Sequence, residues 1–182
     1  MTKNLENGGL RSIVDNYDIF YIDLWGVVHN GIILHKKAIE TLIEITKAKK
    51  KYVLLTNAPR PNNTVKIFLE KMKMDKEIRE KVYTSGEAAL SYLKKNHLNE
   101  IFYHIGPPRD FDLFINFEKN KTKNIDDSAY LLCTGLFENH DENLDYYKEL
   151  LKKHINKKMI CTNPDLIVDR GKKRELCAGS VA

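Results

Sequence analysis

Cysteine is scarce in this chain. Cys133, Cys161 and Cys177 are the only three, widely spaced and without a CxxC pair. They read as reduced, structural thiols, which fits a cytoplasmic setting. Long apolar runs are also missing. None approaches the ~20 residues of a membrane span, and the first 17 residues lack a signal-peptide core. The expectation is therefore no membrane partner and a cytoplasmic location. His29, His35, His104, His140 and His154 are scattered, none at metal-ligand spacing from a cysteine or an acid, which argues against zinc. Charge of one sign is not concentrated either. The net charge of +5 comes mostly from lysine runs at 47–51, 71–76 and 152–158 that have acids mixed in. A nucleic-acid binder needs a one-sided basic stripe with interleaved aromatics, so no nucleic-acid partner is expected. There is no internal repeat or low-complexity tract.

What is present is α/β patterning. At 182 residues and 42% hydrophobic content, the chain can form a packed core as one domain or two small ones. The run Asp18-Ile-Phe-Tyr-Ile-Asp-Leu-Trp-Gly-Val-Val is almost continuously β-branched and aromatic, the pattern of a strand covered on both faces. Asp23 sits where that strand runs into glycine, and an ionised carboxylate there is costly to desolvate unless paired. Ligands bind at the carboxyl ends of strands in open parallel sheets, so Asp23 reads as chemistry. The plain alternative is a turn cap, with Gly26 supplying an unusual backbone angle.

A second apolar run, from Lys51 to Thr56, ends in Thr56-Asn57 and is broken at Pro59. Between the two runs, Ala38, Ile39, Leu42, Ile43 and Thr46 share one helical face, so 18–56 reads as a βαβ unit. A right-handed crossover then makes the strands parallel and brings Asp23 and Thr56 to one edge. Val65, Phe68, Leu69 and Met72 recur at helical spacing and lead to a short strand at 81–84. A new alternation follows: helix 87–95, strand 100–105, strand 129–134, helix 142–154 and strand 158–162. The polar stretch 111–128, with Lys119 to Lys123 unsuited to packing, reads as an irregular excursion. Residues 1–9 read as a frayed tail or a first short cover over the core.

Four segments in order, Asp-x-x-Gly-Val from Asp23, Leu-Leu-Thr-Asn ending at Asn57, Tyr83-Thr-Ser-Gly-Glu-Ala-Ala and Cys161-Thr-Asn-Pro-Asp165, resemble the haloacid dehalogenase (HAD) superfamily. The order and spacing look like its class IIA, the para-nitrophenyl phosphatase and nucleotide phosphatase type. The resemblance runs from about Tyr17 to the last residue. It implies an α/β fold in which 1–85 form the N-terminal half of a Rossmann-like core and 86–182 form an inserted α/β cap. It also implies a Mg²⁺-dependent phosphatase acting on a small phosphorylated metabolite through an aspartyl-phosphate. Asp23 would be the nucleophile, and Asp23 with the main-chain carbonyl of Trp25 would hold Mg²⁺. Thr56 and Asn57 would bind phosphate, and Asn163 and Asp165 would approach from the cap and help select the substrate. Arg60 could reach a phosphate or carboxylate bidentately, or be a surface-loop residue, and Asp165 could equally be a turn residue after Pro164. Gly106 to Arg109 and Thr134 to Phe137 end strands and can face the substrate. The net positive charge would help to steer a phosphorylated molecule inward.

Two departures stand beside the match. The family usually has Asp-x-Asp, and here Trp25 occupies the place of the second acid. Indole offers only an N–H donor and cannot shuttle protons near neutral pH, so activity is expected to be weak or biased toward low-pKa leaving groups. The alternative is a non-catalytic HAD relic or binding protein. The family's third-motif lysine and fourth-motif acids would follow Gly179, and the residues that remain after it do not supply them. Lys172 and Lys173 carry the right charge but stand earlier, in what reads as a cap loop, and match a solvated basic run. The expectation is a truncated HAD protein whose first strand becomes an edge, favouring aggregation, a homo-oligomer or a separately encoded C-terminal remainder.

Overall fold

The computed structural model describes residues 8–170 and 173–182; of the opening segment, Met1 to Asn7 lie outside, as does Lys172. Two parallel sheets carry the chain. The first comprises β1 (Ile19–Asp23), β2 (Lys51–Thr56) and β3 (Val82–Thr84), in the order β1-β2-β3. Its crossovers are α1 (Lys36–Lys47) and α2 (Asn62–Lys71), and the short α3 (Lys76–Arg79) follows α2. Asp23 pairs with Leu55 across β1 and β2, and Thr56 with Thr84 across β2 and β3. The expected βαβ unit is therefore present, with Asp23 and Thr56 at one edge.

The expectation that β1 is covered on both faces is corrected. The strand order advances in one direction, so both right-handed crossovers place their helices on the same side. Leu42 and Ile45 of α1 and Val65 and Leu69 of α2 pack there against Tyr52, Leu54 and Val82. On the opposite face Ile19, Tyr21, Leu55 and Tyr83 are exposed, Tyr21 by 68%. Among the described residues β1 pairs with β2 alone, the edge position expected for it. In α1 the inward stripe runs through Ala38, Ile39, Leu42 and Ile45, whereas Ile43 and Thr46 face solvent. A three-residue step from Leu42 keeps Ile45 on the stripe, which the reading through Ile43 had displaced.

α4 (Ser85–Asn96) leads into a four-stranded sheet of β4 (Phe102–Ile105), β5 (Lys121–Thr122), β6 (Tyr130–Cys133) and β7 (Lys158–Cys161), ordered β5-β4-β6-β7. Here both faces are covered. Leu90 and Leu93 of α4 join Phe102, Leu113, Phe114 and Phe117 on one side. Tyr147 of α5 (Leu144–Lys152), with Ala178 and Val181, covers Ile105, Leu131 and Cys133 on the other.

The stretch 111–128 is mostly 3-10 turns, as its irregularity suggested, but it packs more than its charge implied. Leu113, Phe114 and Phe117 are buried, and Lys121 and Thr122 form β5 beside Phe102 and Tyr103. The segment read as a cap loop is a two-stranded antiparallel ribbon of β8 (Ile167–Arg170) and β9 (Lys173–Leu176), with Lys173 opposite Arg170.

Candidate active site

The carboxyl ends of the two sheets meet, and side chains from both form the junction. At the end of β1, Asp23 is exposed, and its carboxylate accepts hydrogen bonds from the amides of Leu24, at 2.9 Å, and Trp25. Gly26 adopts φ +78°, a left-handed angle that suits glycine. The turn-cap reading of Asp23 is visible in this geometry, and the same cap fixes the carboxylate at the sheet edge. Partial burial raises the Asp23 pKa, the two amides oppose that rise, and the charge of Asp165 adds to it.

The charge of Asp165 acts at Asp23 because β7 ends against the first sheet. Ser85 Oγ donates to the Thr162 carbonyl at 2.5 Å, and Asn57 Nδ2 donates to Asp165 Oδ1 at 2.9 Å. Asn163 is buried, and its side-chain oxygen accepts the Asp165 amide at 2.9 Å. This Asx-type turn projects Asp165, with Asn163 shaping the loop. Thr56 Oγ1 accepts the Ala58 amide at 3.3 Å and marks the start of the 57–61 loop.

That loop is seated by β3 and α4. Thr84 caps α4 by accepting the Glu87 amide and donates its hydroxyl to the Arg60 carbonyl at 2.6 Å. Asn62 Oδ1 accepts the Thr84 amide, and Glu87 Oε2 accepts the Asn62 amide. The Thr-x-x-Glu spacing is that of a capping box, but the glutamate serves a neighbouring helix start.

Arg60 points into the seam between the sheets. Its Nη2 lies 3.0 Å from Asp112 Oδ2 and its Nε lies 3.9 Å from Asp110 Oδ1. Thr64 Oγ1 also donates to Asp112 Oδ2. Asp110 is buried and held by Thr134, whose hydroxyl also contacts His104 Nε2 at 2.8 Å. Burial raises the Asp110 pKa to about 6 and lowers that of His104 to about 3. A neutral His104 donating from Nε2, with Thr134 donating onward to Asp110, satisfies the chain of hydrogen bonds. Residues ending β4 and β6, read from sequence as able to face a substrate, thus build this seam.

Trp25 extends across the same junction, where its indole N–H donates to the Asp169 carbonyl of β8 at 3.1 Å. Sequence reasoning assigned no role to Ser85, Asp110 or Asp112, and gave no sign of the Trp25 contact. Ser85 lay within a quoted motif, whereas Asp112 sat in the stretch read as irregular and Asp110 immediately before it.

Among the described residues no three His, Cys, Asp or Glu side chains gather as a metal cluster. The donors at the sheet edge, two mutually repelling carboxylates and main-chain oxygens, fit Mg²⁺. That ion is held by one or two carboxylates while keeping several waters.

A model of the haloacid dehalogenase-like hydrolases matches residues 20–117. The structure is similar to a haloacid dehalogenase-like hydrolase from Brucella suis, at TM-score 0.84 and 30% identity, covering 94% of this chain and 66% of that one. It is also similar to the p-nitrophenyl phosphatase from Archaeoglobus fulgidus, at TM-score 0.67 and 16% identity, covering 90% of this chain and 62% of that one. A glycerol phosphate phosphatase from Mycobacterium tuberculosis, crystallised with magnesium, aligns at TM-score 0.66 and 19% identity, covering 92% and 51%. The chain spans slightly under two thirds of the Brucella protein. No curated protein matches it in sequence. With the family model spanning more than half its length and both sheets superposing on such a hydrolase, this chain belongs to the haloacid dehalogenase-like hydrolase family.

Proposed function

We propose that the protein is a Mg²⁺-dependent phosphatase for a small phosphorylated metabolite, with 1–85 as part of the core and 86–182 as the cap. The observation that carries this reading is Asp23. Its carboxylate is held by two amides at a parallel-sheet edge, one strand from Thr56 and Asn57 and facing Asp165. Asp23 attacks phosphorus, the bond to the leaving oxygen breaks, and that oxygen departs with the electron pair. Water then cleaves the aspartyl-phosphate, splitting one hard displacement into two easier ones. The Thr56 hydroxyl and the Asn57 amide hold the phosphoryl oxygens. The Asp23 carboxylate and Trp25 carbonyl would hold Mg²⁺, which offsets the charge of the phosphate. Asp165, set by the Asn163 turn and by Asn57, faces the substrate from the cap.

Nothing at position 25 can protonate the leaving oxygen, since indole is only a donor of a non-acidic N–H. Positioned proton transfer contributes typically ~10²–10⁴-fold, so aryl and acyl phosphates are the favoured substrates and alkyl phosphates the poorest. The relevant experiment is Mg²⁺-dependent hydrolysis across a leaving-group series. Asp23→Asn should abolish turnover, and Trp25→Asp should speed the alkyl esters most. Equal rates for Asp23→Asn and the parent, or one flat dependence with Trp25 and with Trp25→Asp, would refute the mechanism. The second reading is a non-catalytic phosphate-binding protein, favoured by Trp25 itself. It is supported if Asp23→Asn leaves phosphate-ester binding intact while the parent shows no turnover.

A further inference from the structure

We propose that Trp25 is a positioning residue that straps the β8–β9 ribbon across the Asp23 edge, having exchanged proton transfer for control of access; this rests on the phosphatase reading above. The indole is seated by its own loop. Gly31, at φ +85°, lies so close that a Cβ there would stand 2.6 Å from the indole Cη2. His29 meets the ring edge-on at 5.2 Å and is itself backed by Phe68 at 5.8 Å. The Gly26 amide donates to the His29 carbonyl at 2.7 Å, and the Gly31 amide donates to His29 Nδ1 at 2.9 Å. Held between His29 and Gly31 and only partly buried, the ring directs its N–H to the Asp169 carbonyl.

The same stretch of chain is tied down at two further points. Ser85 holds the Thr162 carbonyl and Asn57 holds the Asp165 carboxylate. The Gly179 amide donates to the Asp165 carbonyl and the Cys177 amide to that of Leu166, joining the far end of the ribbon to this segment. Residues 162–169 therefore run along the catalytic edge fastened by β3–α4, by the 57–61 loop and by Trp25. The first two fastenings use residues beside the phosphate loop. Trp25, two residues past the end of β1, reaches the ribbon from the Asp23 edge, so its removal frees one end of the strap while leaving the other in place.

Trp25→Phe keeps an aromatic ring and deletes the N–H, whereas Trp25→Asp deletes both and supplies an acid. Amide exchange followed by mass spectrometry on the full chain should be roughly three- to tenfold faster over 167–176 in both variants, as expected for one net hydrogen bond. Exchange over 51–56 should be unchanged. With Mg²⁺ and an aryl phosphate, Trp25→Phe should raise KM by a larger factor than it lowers kcat. Unaltered exchange at 167–176, or equal acceleration at 51–56, overturns the proposal. A drop in kcat at constant KM does the same. Should the variants fail to fold, the parent still decides, because Trp25 is the only tryptophan. Its acrylamide quenching must fall well below that of free tryptophan amide, and parity with the free amide refutes the strap. Absence of turnover in the parent defeats the phosphatase reading alone, since exchange and quenching are read without substrate.

Discussion

Replacing Asp110 with asparagine isolates the cost of holding a charge in the seam between the sheets. Asp110 is 4% exposed. Burial raises its pKa to about 6, against the opposing pull of the Thr134 hydroxyl and the Arg60 and Arg109 guanidinium groups. The ordinary value is 3.8, so between about pH 4 and pH 6 the folded chain binds more protons at this site than the unfolded chain. Stability at this site is therefore greatest below pH 4 and is lost as pH rises through the folded value. A shift of about two units, at ~1.4 kcal/mol each, amounts to roughly 3 kcal/mol. Asparagine keeps the shape without the charge, so it should match the parent near pH 4 and exceed it in stability by an amount of that order at pH 7.5. Urea unfolding at both values, compared as a difference between variant and parent, cancels the titration of every other group. An identical difference at the two pH values would refute the reasoning, as would a parent that gains on the variant with rising pH.

Arg60→Ala removes the guanidinium from Asp112 and Asp110, leaving a carboxylate in the seam with fewer partners. A loss of about 1–3 kcal/mol is expected in thermal or urea unfolding, accompanied by a further rise in the Asp110 pKa visible by NMR titration. Gly86→Ala places a Cβ 2.4 Å from the Arg60 main chain. The 57–61 loop must then shift, so the variant should lose Asn57-dependent phosphate binding as well as stability, measured by phosphate-ester titration and melting.

The first sheet and its shared edge were legible because buried strands and a crossover helix leave periodic apolar patterns, and because parallel pairing follows from handedness. Asp23 and Thr56 were placed at one edge on that basis, and the register of Asp23 with Leu55 agrees. Coverage of β1 was not legible, since a continuous apolar run records what a strand is suited to pack against, not which neighbours surround it. Arg60 illustrates a second limit. Its guanidinium is equally apt for a phosphate or a carboxylate, and only the folding of 108–113 against α2 supplies Asp112 as its partner. The ribbon escaped notice because its apolar and charged residues come in blocks, Ile167-Val168 before Asp169 and Lys173-Arg174-Glu175 before Leu176, so no apolar period of two announces it. Its contact with Trp25 spans 144 positions of sequence and involves a peptide oxygen, which no side-chain pattern encodes.

That choice of acceptor bears on how such a site can drift. A peptide oxygen is supplied by any amino acid, so position 169 is free to vary in side chain while still serving the indole. Its own aspartate is engaged instead with Arg174 at 2.8 Å, within the ribbon. Selection acting on the bridge would register at position 25, and at Gly31 beneath the ring, leaving no compensating signature at the other end. Comparisons that search for paired substitutions would overlook it.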